Sequence, residues 1–152
     1  MSPWTSDVLK TMKKTFTKKE IPKIAQAILS SLKQGVSATV VALTGDLGAG
    51  KTTLTQAIAR ELGIKENVIS PTFVIMKRYT IQDTRYKFLV HIDAYRLDSH
   101  KELERLGWSE IIANPENLVL IEWPERVSEI IPKTAHLISL SHKTDDEREI
   151  SF

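Results

Sequence analysis

The chain has no cysteine, which excludes disulfides and thiolate metal sites and leaves nothing that speaks for an oxidising compartment. Long apolar runs are missing as well: none approaches the roughly 18 residues a membrane helix needs. The start, MSPWTSDVLKTMKK, carries no unbroken apolar segment of the secretory kind, so a cytoplasmic protein with no membrane contact is expected. Charge of one sign is not in excess. With 21 basic and 19 acidic residues the net charge is +2, too near balance to argue for a nucleic-acid or membrane partner. Glycine is scarce, six in 152 residues, yet three of the six fall at Gly45, Gly48 and Gly50. A chain of this length with 41% hydrophobic residues has the composition of one globular domain.

Hydrophobic spacing organises what is there. Lysines 10, 13, 14, 18, 19 and 23 crowd the beginning against only Asp7 and Glu20, which reads as a solvated lead-in or a basic contact surface. The expected division is a basic segment over 1–16, possible as disorder, and one domain over 17–152. Ile21, Ile24, Ala25, Ile28, Leu29 and Leu32 recur at helical spacing before Gly35. Thr17 and Glu20 have capping-box spacing, but Pro22 moves the expected helix start nearer to Glu20. ATVVAL, over 38–43, has the β-branched composition of a strand buried on both faces. A second helix follows on Leu54, Ala57, Ile58 and Leu62 and stops at Gly63. FVIMKRYTI and YKFLVHI read as an antiparallel hairpin about the polar turn QDT. LDSHKELERLG predicts a helix closed by Gly107, LVLI over 118–121 an apolar strand, and AHLISLS one or two last strands. Strands alternating with helices predict an α/β fold with a mainly parallel central sheet flanked by helices, and the glycine cluster GDLGAGKT between ATVVAL and the second helix makes that expected fold P-loop NTPase-like.

The glycine cluster belongs to a phosphate loop. Gly45, Asp46, Leu47, Gly48, Ala49, Gly50, Lys51 and Thr52 satisfy G-x-x-x-x-G-K-[ST], set between a strand and a helix as that motif requires. Glycines let the backbone curl with its N–H groups inward, close to phosphate oxygens. Lys51 would neutralise the β and γ phosphates, Thr52 would give its hydroxyl to Mg²⁺, and the helix N-terminus adds its partial positive charge.

Magnesium held by such a loop wants a carboxylate at the tip of a neighbouring strand. Asp93 follows KFLVHI and Glu122 follows LVLI, both at the edge where α/β sheets collect ligands, and the more apolar strand favours Glu122. The ordinary alternative for either is a surface carboxylate just past a strand. If both face one site, one holds the metal while the other orients or deprotonates water. Spacing does not divide those roles. Ser70 and Thr72, on either side of Pro71, fit a nucleotide-sensing switch segment or a strand entry that satisfies local backbone groups. His91 reads as a packed or solvated strand residue, Trp123 as core or as a wall of the nucleotide pocket. Arg96 and Arg126, which follow the two acidic positions, read as surface salt-bridge partners before stabilisers of a transferring phosphate.

Taken together, GDLGAGKTT at 45–53, SPTF at 70–73, HIDAYRL at 91–97, LERLG at 103–107 and IEWPER at 121–126 resemble the TsaE family, formerly YjeE, in order and spacing. These are small bacterial P-loop ATPases of threonylcarbamoyladenosine synthesis on tRNA. The resemblance runs from about Thr17 to Phe152 and implies ATP and Mg²⁺ as ligands. It also implies TsaD and TsaB as partners, reset between turnovers by ATP binding and hydrolysis, with tRNA reached only through that complex. By motif, Lys51 and Thr52 keep the roles above, Thr53 supports the phosphates, and Asp93 and Glu122 are the magnesium and catalytic carboxylates. Ser70 and Thr72 belong to the switch segment. DEREI, over 146–150, resembles a stretch that makes Arg148 a nucleotide contact, although Glu147 stands where the family has glycine.

A small P-loop kinase acting on a metabolite is the main alternative. It would normally add a mobile lid with clustered arginines, and no arginine-rich insertion occurs here. A nucleotide-sensing module without useful turnover is a third class.

Overall fold

The computed structural model describes residues 13–82 and 85–152. Asp83 and Thr84 of the expected hairpin turn, and most of the basic lead-in, lie outside them. One seven-stranded sheet runs through the molecule in the order β1-β7-β6-β2-β5-β4-β3. Its strands are β1 (Lys13–Thr17), β2 (Thr39–Thr44), β3 (Met76–Thr80), β4 (Phe88–Asp93), β5 (Asn117–Glu122), β6 (His136–His142) and β7 (Glu147–Ser151). Parallel pairing joins the central four, β6-β2-β5-β4. Both margins are antiparallel, β4 with β3 on one side and β6-β7-β1 on the other.

Two hydrophobic clusters cover the sheet. Helices α1 (Ile21–Ser31) and α2 (Lys51–Glu61) bury Ile24, Ile28, Leu54 and Ile58 against Leu43, Leu89 and Leu120. On the opposite face α3 (His100–Arg105), α4 (Trp108–Ala113) and a kinked 3-10 segment (Pro124–Ile130) pack Leu103, Trp108 and Val127 on Val40, Val90 and Ile121. Covered twice, β2 and β5 are buried along nearly their whole length, which is why they read as unbroken apolar runs.

The expected elements are present, with local differences: the strand expected over 73–81 is the shorter β3, because the chain turns over 72–75 before Met76. Pro22 lies in the first turn of α1, where its missing N–H is harmless, and Thr17 makes no side-chain capping bond. β1 was not expected as a strand. Only Phe16 of KKTFT is buried, and its lysines mark an edge strand that resists further pairing. It crosses the expected boundary at residue 17, so 13–16 of the basic segment belong to the sheet. The helix predicted to end at Gly107 is α3, capped by the Ser99 hydroxyl, which accepts from the Lys101 N–H at 3.2 Å. Gly107, at φ +91°, then starts α4 directly. Six residues are too few for a periodicity to announce that helix.

Candidate functional site

The carboxyl ends of β2, β4 and β5 meet at one edge of the sheet, and the phosphate loop lies over them. Gly45 leaves β2 at φ +145°, and a Cβ there would overlap the Leu140 carbonyl oxygen on β6, so the backbone is packed where a side chain would stand. The Ala49 N–H donates to the Asp46 carbonyl at 3.0 Å and closes the curl. Gly50, at φ +103°, is the N-cap of α2 and offers no side-chain acceptor. The first N–H groups of α2 therefore have no capping side chain and remain suited to an anion.

A cleft of about 350 Å³ opens here, walled by the loop from Leu47 to Thr53, by Ser70, Thr72 and Asp93, and by Tyr95, Glu122 and Trp123. Lys51 is buried; its Nζ donates to the carbonyls of Gly45 and, at 3.0 Å, Asp46, and lies 4.2 Å from the centroid of the Trp123 ring. Burial pushes the Lys51 ammonium below its ordinary value of 10.5, while Glu122, Glu125, Asp93 and Asp46 pull it back up. Thr52, one residue on, directs its hydroxyl to Glu122, at 3.1 Å from Oε1 and 3.3 Å from Oε2.

Asp93 and Glu122 are only 5% and 3% exposed, unusual for carboxylates, and both are well partnered. Asp93 Oδ2 accepts from Ser70 at 3.0 Å and Thr72 at 2.8 Å, and Oδ1 accepts from the Tyr95 N–H at 3.0 Å. Neither acid is the loose surface group that a position past a strand ordinarily supplies. The segment carrying Ser70 and Thr72 ends at Ile75, whose φ of +71° is strained for a β-branched residue. Two bonds fasten that end: the Ile75 N–H donates to the Pro71 carbonyl, and its own carbonyl accepts from the Asp93 N–H at 2.8 Å. Phe73, between the two anchors, is 84% exposed.

Leu47 to Thr53, Ser70, Thr72, Asp93 and Glu122 thus meet at one cleft, while Gly45 and Asp46 do not line it and touch Lys51 through their carbonyls. Arg148 does not line that cleft. With Phe16, Lys18 and Ile21 it walls a smaller cavity of about 160 Å³ behind the loop, which shares Gly48, Ala49, Gly50 and Thr53 with the first. Its guanidinium donates to the carbonyls of Thr144 at 3.0 Å and Glu147 at 3.1 Å. Arg96 and Arg126 lie on aromatic faces rather than on carboxylates, 4.5 Å from the Phe73 centroid and 5.6 Å from that of Tyr95. Trp123 is a wall of the cleft, held at φ +59° with its ring centroid 5.0 Å from that of Tyr95.

His91 is packed, one of the two expected readings, and has a partner at the site. Its ring is completely buried, and Nε2 stands 2.6 Å from Glu122 Oε2. The two-residue step to Asp93 was a usable signal, because alternate strand residues share a face. Every donor on the acidic side of the cleft is a hard oxygen, the kind magnesium prefers. Among the described residues no group of three or more His, Cys, Asp or Glu is placed to hold a metal ion unaided. A cation here would therefore need hydroxyl, ligand or water oxygens as well.

Residues 15–150 match the family model described as threonylcarbamoyl adenosine biosynthesis protein TsaE. The tRNA threonylcarbamoyladenosine biosynthesis protein TsaE of Haemophilus influenzae is 40% identical over 115 residues, 76% of this chain and 70% of that protein. Its counterpart in Bacillus subtilis is 38% identical over 139 residues, 91% of this chain and 82% of the relative. The crystal structure of Bacillus subtilis YdiB superposes with a TM-score of 0.73 at 33% identity, covering 93% of this chain and 84% of the other.

Proposed function

This chain belongs to the TsaE family, and from that premise we propose that it is a cytoplasmic, Mg²⁺-dependent ATPase whose nucleotide cycle resets a complex of TsaB and TsaD. Its role in threonylcarbamoyladenosine biosynthesis on tRNA follows from the family and from relatives named for that process. The tRNA itself is reached through the complex.

The observation that carries the hydrolytic reading is the meeting of Lys51, Thr52, Asp93 and Glu122 at one cleft. A triphosphate laid along Gly45–Thr53 would take the loop N–H groups and replace the Gly45 and Asp46 carbonyls as partner of Lys51. Asp46, Leu47 and Ala49 contribute backbone only, and Thr53 supports the phosphates from the first turn of α2. Thr52, Asp93 and Glu122 would hold Mg²⁺ together with phosphate oxygens and water, as their donor chemistry suits. When bound, the ion offsets the charge that builds on the transferring phosphate. One of the two carboxylates would in addition orient the attacking water. Arg148, at the second cavity behind the loop, is suited to the nucleoside end. Ser70 and Thr72, tied to Asp93, would report the state of the site to the exposed segment around Phe73.

No arginine is among the described residues lining the cleft. Hydrolysis by the protein alone should therefore be slow and should rise when TsaB and TsaD are added. Equal rates with and without them would refute partner control. The test of the chemistry is Glu122→Gln, which is expected to keep ATP binding and lose hydrolysis. Phosphate delivered to an acceptor molecule instead of water would favour a metabolite kinase.

A further inference from the structure

His91 occupies a place where an apolar residue would be the simpler choice. It lies within β4 with Leu120 of β5 and Lys77 of β3 as register partners, and its neighbours on the same face, Leu89 and Leu120, belong to the apolar core. The ring is completely buried, and Nδ1 has no hydrogen-bond partner among the described residues. A leucine would fill this position without leaving a buried nitrogen unpaired. What the imidazole adds is one contact, 2.6 Å from Nε2 to Glu122 Oε2.

A carboxylate can only accept, so in this contact Nε2 carries a proton and donates it. Glu122 then has two donors, the His91 N–H on Oε2 and the Thr52 hydroxyl, which lies 3.1 Å from Oε1 and 3.3 Å from Oε2. Two donors from different elements, α2 and β4, restrain both the rotation of the carboxylate and its long side chain. One donor alone would leave it free to swing about the remaining bond.

We infer that His91 is a positioning residue for ATP hydrolysis: through Nε2–H it holds the Glu122 carboxylate with Oε1 turned toward Thr52 and the phosphate loop. This rests on the reading of Glu122 as a group used in hydrolysis. His91 itself is completely buried and does not line the cleft, whereas Glu122 does. The effect is on turnover, not on nucleotide capture.

Three variants and one spectrum test this. His91→Leu removes the donor and keeps the site apolar; kcat for ATP hydrolysis should fall by about 10–100-fold, with KM for ATP nearly unchanged. His91→Gln can offer an amide N–H at a similar distance and should recover much of the loss. In nucleotide-free protein with ¹⁵N-labelled histidine, NMR should find His91 as the Nε2–H tautomer with a downfield, slowly exchanging ring proton, absent in Glu122→Ala. This readout does not depend on activity, and it stands even if His91→Leu folds poorly. An Nε2 without a proton overturns the inference, as does wild-type kcat in His91→Leu while Glu122→Gln is inactive. Equal loss in the Leu and Gln variants, with lowered Tm, leaves His91 a packing residue only and overturns it too. If Glu122→Gln itself hydrolyses ATP at the normal rate, the reading of Glu122 falls and takes this one with it, an outcome distinct from failure of His91 alone.

Discussion

Asp93 and Glu122 are register partners at the ends of adjacent parallel strands, and each is held by hydroxyls from a different segment. Glu122 is joined to the start of α2 through Thr52, Asp93 to Ser70 and Thr72. Any event that redistributes charge between the two acids is thereby felt at the phosphate loop and at the exposed stretch around Phe73. Four predictions follow from this arrangement and from the packing beneath it.

Asp93→Asn keeps the shape of the side chain but exchanges one carboxylate oxygen for an NH₂ group, which cannot accept from Ser70 and Thr72. Hydrolysis should drop by at least about a hundredfold if Asp93 serves the metal or the water. Hydrogen exchange should also quicken over 70–75, where the strained Ile75 is retained by bonds to Pro71 and Asp93. Unaltered exchange there would show that the segment is held independently of Asp93.

Thr52→Ala deletes the hydroxyl that faces Glu122, whereas Thr52→Ser keeps it. Calorimetric titration with ATP, with Mg²⁺ and then with a chelator, should show that the alanine variant has lost most of the magnesium-dependent part of its affinity. The serine variant should retain it. Identical magnesium dependence in both would remove Thr52 from the metal site.

Gly45→Ala meets two obstacles at once, a φ of +145° and the carbonyl of Leu140. Denaturant unfolding should show a loss of about 1–3 kcal/mol, and nucleotide binding should suffer with it. Gly35 is the control: its φ is not in the positive range, and a Cβ there would meet open space. Gly35→Ala should be neutral or slightly stabilising.

His136, half-buried at the start of β6, has its imidazole pushed below 6.5 by burial. As pH falls through 6.5 the unfolded chain takes up that proton before the folded one. The stability associated with neutral His136 is therefore complete above about pH 6.5 and declines as acid moves from there toward the lower folded value. His136→Gln should flatten this part of the stability profile. An identical slope in the variant would assign the acid sensitivity elsewhere.

Much of the protein was legible in its order of residues. The apolar runs of β2 and β5 declare strands covered on both faces, and the strand, glycine turn and helix around Lys51 could be placed because every requirement is local. Asp93 and Glu122 were found because strand tips in an α/β sheet gather at one edge. Short or edge elements were less visible. β1 hides a single buried Phe16 among lysines, and α4 is too brief to show a period.

What the sequence determined alone is the phosphate loop and the set of candidate acids, since local backbone chemistry and strand-end position require no knowledge of distant neighbours. Which groups share a hydrogen bond was decided only by tertiary structure. The parallel register of β4 on β5 sets Asp93 beside Glu122 and places His91 against the same acid, and α2, laid over that face, carries Thr52 to it. Separation along the chain conceals such contacts; an acid must nonetheless find partners once burial has stripped it of water.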